Sequence, residues 1–261
     1  MITNILYIVV SFFATIIGAV TGIGGGIILK SVVPLFSHDS IIVVSFYTTV
    51  LVFTMCIVSI YKQWRKGFQF QLRVLLGISI GSIIGGYLGD FILNAVTQNY
   101  PASQIQLVQS IILFATLLFL ILYTIWGPKK AEVTTPSILV TSLLGLFLGA
   151  ISIFLGIGGG PLNISLLIIF FGYPMKKAAV YSIATVFFSQ ISKLASILFI
   201  GEYSQFDFKL VPFFIIAAIL GGYLGTLLHQ KLTSKAVETI YMVLMMILLL
   251  IVLSNVVSYW I

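Results

Sequence analysis

Two identical pentapeptides carry the main chemical possibility in this chain: Gly22-Ile23-Gly24-Gly25-Gly26 and Gly156-Ile157-Gly158-Gly159-Gly160. Four glycines in five residues disfavour a continuous helix by about 1 kcal/mol each relative to alanine. Each motif therefore interrupts the apolar segment that contains it. The helix restarting after such a break has N–H groups with no intrahelical partner. Those groups carry partial positive charge, which suits an anion, and glycine lets a ligand approach the backbone closely. Gly24, Gly25, Gly26, Gly158, Gly159 and Gly160 are candidate anion-binding positions. The competing use of the same residues is tight helix packing. Pro161 follows the second motif at the first helical position, where proline fits best. Asn163, in the next turn, is placed either to contact a ligand oxygen or to cap backbone.

Two cations, Lys30 and Lys193, stand in apolar sequence, where an ionisable residue is a functional candidate by default. The competing reading is snorkelling of each ammonium to the nearby boundary. Lys193 shares a helical face with Ser182, Thr185, Ser189, Ser192 and Ser196, with Gln190 at its edge. A second stripe, Ser45, Thr48, Thr49, Cys56 and Ser59, has similar spacing. Two such stripes predict two walls of a polar cavity. Ser182, Thr185, Ser189 and Gln190 would line it and Lys193 would offset the ligand's charge. Helix–helix hydrogen bonding is the alternative use of the stripes.

The elements that must hold these residues are membrane helices. Only 7% of the 261 residues are charged and 60% are hydrophobic, where a soluble domain carries roughly 25% charged residues. Mean hydropathy is +1.21. This composition excludes disorder, nucleic-acid binding and an ordinary soluble enzyme. The apolar segments hold no His-Glu-x-x-His, no paired acids and no Ser/His/Asp set, so the chain does not read as an enzyme. Its single cysteine, Cys56, cannot form an internal disulfide, and no Cys/His cluster calls for a metal or other cofactor.

Apolar segments run over roughly 5–36, 41–60, 72–95, 105–126, 137–172, 178–200, 210–230 and 236–258. Six suit single spans of about 20 residues. The first and fifth are too long for one helix and too short for two, and these two carry the pentapeptides. A second string, Gly85-Gly86-Tyr87-Leu88-Gly89, recurs as Gly221-Gly222-Tyr223-Leu224-Gly225. Two different matches in the same order predict an internal duplication: a first repeat over 1–127, a linker over 128–136 and a second repeat over 137–261. The stripe Gly77, Gly81, Gly85, Gly89, echoed by Ala217, Gly221 and Gly225, reads as a packing surface.

The charges choose the topology. If the first and fifth segments fold back at their glycines, Lys62, Arg65, Lys66, Arg73, Lys129, Lys130, Lys176, Lys177, Lys231 and Lys235 fall on one side. Only Lys209 falls on the other. By the positive-inside rule the first side is cytoplasmic. Asp39, Asp90, Glu202 and Asp207 are then expected outside, as are both termini; Asp90, which follows the first Gly-Gly-Tyr-Leu-Gly where the second string is followed by Thr226, has a coupling acid as its alternative reading. The expected fold is an all-α polytopic membrane protein of two inverted repeats, each a re-entrant or broken glycine-motif segment plus three transmembrane helices. A broken helix that crosses remains the alternative. First arms of about 16 residues and second arms of about 10–12 would bring the glycine tips together near mid-membrane. His38 and His229, at segment ends, read as interfacial.

These motifs resemble the TauE/SafE family of sulfite exporters and sulfonate permeases, over essentially the whole chain. The second motif matches best: Gly156 to Pro161, then Asn163, Ala178-Ala179-Val180-Tyr181-Ser182 and Ser189-Gln190. In the first half Ser31 stands where the family often has proline, and Lys30 is not a general family feature. The resemblance implies a multipass plasma (inner) membrane transporter of small sulfur oxyanions of the sulfite, thiosulfate, sulfonate or sulfoacetate type. With it come the expected partners: a small anionic substrate, the lipid bilayer and no nucleic acid. A coupling proton or cation and a homodimer are compatible with the sequence. An anion channel, or a transporter of a small carboxylate, is the alternative.

Overall fold

The computed structural model describes residues 2–33, 36–37, 39–126, 137–155, 160–200 and 206–257. Among them every regular element is a helix: α1 (Ile2–Thr21), α2 (Gly26–Val32), α3 (Ile41–Arg65), α4 (Leu72–Asn99), α5 (Ala102–Trp126), α6 (Ile138–Phe154), α7 (Gly160–Phe171), α8 (Met175–Ile200), α9 (Val211–Lys231) and α10 (Ser234–Val257). Seven of these described helices, all but α2, α6 and α7, are long and apolar enough to cross a membrane. The chain is a multipass, all-α membrane protein, as its composition requires. Expectations for His38, Gly158, Gly159, Glu202 and the linker 128–136 fall outside the described residues.

Local sequence sets the helix limits. Ser40 and Ser137 accept from Val43 N and Val140 N, capping α3 and α6. Pro212 stands in the first turn of α9, where its missing N–H costs nothing. The arms at the glycine motifs are less even than expected. α1 has 20 residues and α2 only seven; α6 has 17 and α7 has 12.

Glycine decides how the helices pack. A Cβ on Gly81 or Gly85 would sit 2.0 Å from the carbonyl oxygen of Ser142 or Leu146, and one on Gly89 2.3 Å from that of Ala150. The stripe thus lets α4 lie directly on α6. Gly221 and Gly225 do the same for α9 on α1, where a Cβ would meet Thr15 Oγ1 at 2.0 Å and Ile16 O at 2.3 Å. Successive contacts run in step: Gly77 beside Thr141 and Gly89 beside Ala150, Gly221 beside Thr15 and Gly225 beside Ile16. So α4 is parallel to α6 and α9 is parallel to α1. α3 joins the second pair (Gly222 against Met55, Thr226 bonded to Ser59) and α8 joins the first (Gly86 against Ser192). The outward faces stay apolar: Leu76, Ile80, Ile84 and Phe91 of α4 are all exposed, which lipid tolerates and water would not.

Charge separates the two ends. At one end Lys176 donates to Leu232 O (2.9 Å), Gln230 donates to Lys62 O (3.2 Å) and Tyr173 donates to Gln71 Oε1 (2.8 Å). That gathers the basic ends of α3, α4, α8, α9 and α10. At the other end Tyr7 donates to Asp39 at 2.6 Å, and Tyr47 lies against Asp207. Tyr7 near the start of α1 therefore meets the residue before the Ser40 cap of α3. Asp39, which follows α2 in the chain, thus stands at the end of the bundle where α1 begins.

Candidate functional site

The first glycine motif is a backbone turn that needs its glycines. Gly22, Gly24 and Gly25 have φ of 86°, 94° and 71°, a region L side chains rarely adopt. A Cβ on Gly25 would lie 2.7 Å from Ala14 O, and one on Gly22 2.5 Å from Ala179 Cα of α8. The turn is tied by Gly22 N to Gly18 O (2.9 Å) and by Ser182 Oγ, which donates to Gly22 O at 2.7 Å. Gly26 opens α2. Gly160 opens α7, and a Cβ there would lie 2.0 Å from Ile23 O, so the start of α7 touches the first turn.

One expectation is corrected. The first turn does not come at the middle of the bundle. α1 is longer than an arm of about 16 residues and follows α9 almost to its end, where His229 Nδ1 meets Val20 O at 2.7 Å. His229 is accordingly buried against α1 rather than interfacial.

Neither lysine snorkels. Lys30 donates to Gln109 Oε1 at 2.7 Å and to the carbonyl of Leu155, while Gln109 Nε2 donates to Phe154 O at 2.6 Å. Together they satisfy the last carbonyls of α6, which have no intrahelical donor and carry partial negative charge. Lys193 forms an ion pair with Asp90, whose second oxygen accepts from Ser196 and from Asn94 (3.3 Å). Asp90, expected on the outer surface, is thus buried between α4 and α8. An acid this deep needs a counter-ion, and Lys193 supplies it.

Lys193 also lines a small polar cavity. Its walls are Ser45, Thr48 and Thr49 of α3, Gln190 and Lys193 of α8, and Ser152 with Ile153 of α6. The volume is about 10 Å³, room for about one water. Among the described residues Thr48 Oγ1 and Ser152 Oγ have no hydrogen-bond partner. Fully buried Asn163 has neither amide atom satisfied. Such groups are rare in a folded interior and call for an explanation. The two polar stripes do form two walls, through Ser45, Thr48, Thr49, Gln190 and Lys193. Ser182 instead holds the glycine turn, and Thr185 and Ser189 bond back to Tyr181 O and Val186 O of their own helix.

Residues 7–252 match the profile of the TauE/SafE sulfite exporter family. The chain belongs to the TauE/SafE family. No curated protein and no solved structure matches it.

Around this TauE/SafE bundle the lysine-rich end opens into a basin of about 550 Å³, lined by Gln63, Lys66, Lys176, Lys177, His229 and Gln230 among others. Tyr173, in the loop before α8, has its hydroxyl pKa pushed up to about 12 by burial and by Tyr181. Lys177 lies 3.8 Å over the Tyr173 ring. The sequence reading weighed Asp90 as a coupling acid, while setting it outside, and missed Gln109 and Ser152 at the site. Asp90 had a signal: it follows Gly-Gly-Tyr-Leu-Gly at a place where the second copy has Thr226. Gln109 and Ser152 had none, since a single polar residue in an apolar helix does not reveal which neighbour it faces.

Proposed function

We propose that this TauE/SafE chain is a secondary transporter of small sulfur oxyanions of the sulfite, thiosulfate, sulfonate or sulfoacetate type, working by alternating access. The observation that carries the reading is the cavity between α3, α6 and α8. It brings a buried ammonium, Lys193, together with two unpartnered hydroxyls, Thr48 and Ser152, inside an otherwise apolar bundle. A tetrahedral oxyanion offers several acceptors to such donors, and in low dielectric a charge-assisted bond to Lys193 is strong. The present volume holds a water and not an oxyanion, which fits a closed state that must open to load. Transport, not catalysis, is the activity class that family membership and this cavity support.

The architecture proposed is two inverted repeats, 1–127 and 137–261, joined by a cytoplasmic linker over 128–136. Support comes from the reversal between α1, α3 and α9 on one hand and α4, α6 and α8 on the other, and from the matched glycine contacts of α4 on α6 and α9 on α1. Such pairs exchange partners between halves, an arrangement able to rock about a central site. The lysine-rich end is assigned to the cytoplasm, both termini to the outside and the protein to the plasma membrane. Gly24, Gly25, Gly26, Gly158, Gly159 and Gly160 are proposed to let the turns approach the anion, with Asn163 beside the second. Lys30 is reassigned in this proposal: it holds the end of α6 in register and acts on the anion through its charge.

The test is counterflow. Purified protein in liposomes preloaded with unlabelled thiosulfate is expected to take up labelled thiosulfate saturably, with sulfite and an alkylsulfonate competing. Absence of uptake and competition for all three overturns the reading. Large anion currents without counterflow would identify a channel instead.

A further inference from the structure

The ammonium offered to the cavity is already engaged. Lys193 is ion-paired with Asp90 Oδ1, while Asp90 Oδ2 accepts from Ser196 Oγ and from Asn94 Nδ2 at 3.3 Å. Lys193 is 7% exposed and Asp90 2%. On its other flank Lys193 borders the cavity that holds the unpartnered hydroxyls of Thr48 and Ser152. One buried cation therefore stands between a fixed carboxylate and two hydroxyls that lack a partner.

We propose that Asp90 is an internal stand-in for the transported anion: the substrate takes Lys193 from it, and the released carboxyl takes up one proton. The inference rests on the reading of this cavity as the anion site. Charge and atoms balance simply. Before binding, the pair is an ammonium and a carboxylate. After binding, the ammonium faces the anion, and the carboxyl carries a proton drawn from whichever side of the membrane the site is open to. The alternative is an ionised carboxylate left buried without a counter-ion, the costly state for any such group.

The surroundings fit a carboxyl that changes charge without changing place. The Ser196 hydroxyl can donate to the carboxylate and, after rotation, accept from the protonated form. From α8 the titratable group facing Asp90 is Lys193. The α6 backbone packed beside it at Gly89 presents Ala150. From α3 and α6 the side chains around Lys193 are Ser45, Thr48, Thr49, Ser152 and Ile153. A second titratable group that acts electrostatically on Lys193 is Lys30 of α2, so the proton must be assigned by substitution at Asp90. No second acid is among these neighbours to take the proton in place of Asp90.

The experiment is thiosulfate binding to the full-length protein in detergent, by calorimetry across about pH 6 to pH 8, with proton uptake read by a pH dye in weak buffer. Thiosulfate keeps its charge over this range, so any dependence belongs to the protein. The wild type is expected to bind about tenfold more tightly for each unit of falling pH and to take up about one proton per anion. Asp90→Asn is expected to remove both dependences, and Asp90→Glu to restore them. A wild-type affinity that is flat with pH, without proton uptake, overturns the inference while leaving the transport reading intact. An unchanged slope in Asp90→Asn overturns it as well. Should Asp90→Asn not fold, Lys30→Gln decides: proton uptake that survives it supports Asp90, and uptake that vanishes with it overturns the inference. Failure of the wild type to bind thiosulfate, sulfite or an alkylsulfonate overturns the transport reading and this inference together.

Discussion

Where α4 crosses α8, Asp90 meets Lys193; where α9 crosses α3, Thr226 meets Ser59 at 2.9 Å. Both crossings are prepared by the same string, Gly-Gly-Tyr-Leu-Gly, with Asp90 or Thr226 immediately after it. Aligning the chain on its two glycine pentapeptides sets Ser59 against Lys193 as well. The same place in the two copies is therefore filled once by a charged pair and once by two hydroxyls. The neutral pair shows that the packing needs no charge there: glycines bring the helices together and one hydrogen bond closes the contact. A charged pair at the matching crossing costs desolvation and gains no stability over a neutral one. Its presence beside the cavity is what a functional group looks like when structure has a cheaper solution.

The contrast can be broken at several strengths. The largest effect is expected from Lys193→Met, which leaves Asp90 buried and unpaired and lowers stability by about 3–5 kcal/mol, read as a fall in thermal unfolding temperature in detergent. Ser59→Ala, at the matching place, should cost about 1 kcal/mol. Next come the glycines. Gly85→Ala drives a Cβ to 2.0 Å from a backbone oxygen, whereas Gly221→Ala meets the Thr15 hydroxyl at the same distance. A side chain can rotate and backbone cannot, so Gly85→Ala should lose about 1–3 kcal/mol and Gly221→Ala clearly less. Gln109→Leu strips Lys30 and Phe154 O of a partner, with an expected loss of about 1–2 kcal/mol and greater protease sensitivity at the end of α6. Thr226→Val breaks the same hydrogen bond as Ser59→Ala and should likewise cost about 1 kcal/mol, with thiosulfate counterflow at the wild-type rate. A Thr226→Val protein that is folded but silent would abolish the distinction between the crossings.

Much of the fold was legible because membrane helices are long and their apolar runs are unambiguous. Six segments read as single spans are helices, and the Gly77 to Gly89 stripe packs as its four-residue spacing requires. The basic ends collect at one end of the bundle, with Lys129 and Lys130 outside the described residues. The length of α1 was less legible. Thr21 ends the helix only because Gly22 takes a positive φ, and nothing before it marks how far along α9 that point falls. At the site, Gln190 and Lys193 were read from helical periodicity, which gives a face. Periodicity does not name the neighbour across that face. So Asp90 was placed on the surface by a charge rule that treats every acid as solvated, and Ser182 was given to the cavity when its hydroxyl holds Gly22 O. Asn163, left between ligand contact and capping, caps no backbone among the described residues.

The most direct measurement makes the two crossings alike. The double variant Asp90→Thr, Lys193→Ser gives the α4–α8 crossing the chemistry of the α9–α3 crossing and leaves no unpaired charge. Its unfolding temperature and its thiosulfate counterflow should be measured on the same preparation. The account predicts a folded protein, within a few degrees of the wild type, that neither exchanges nor binds thiosulfate. Counterflow at the wild-type rate in that folded variant would contradict it.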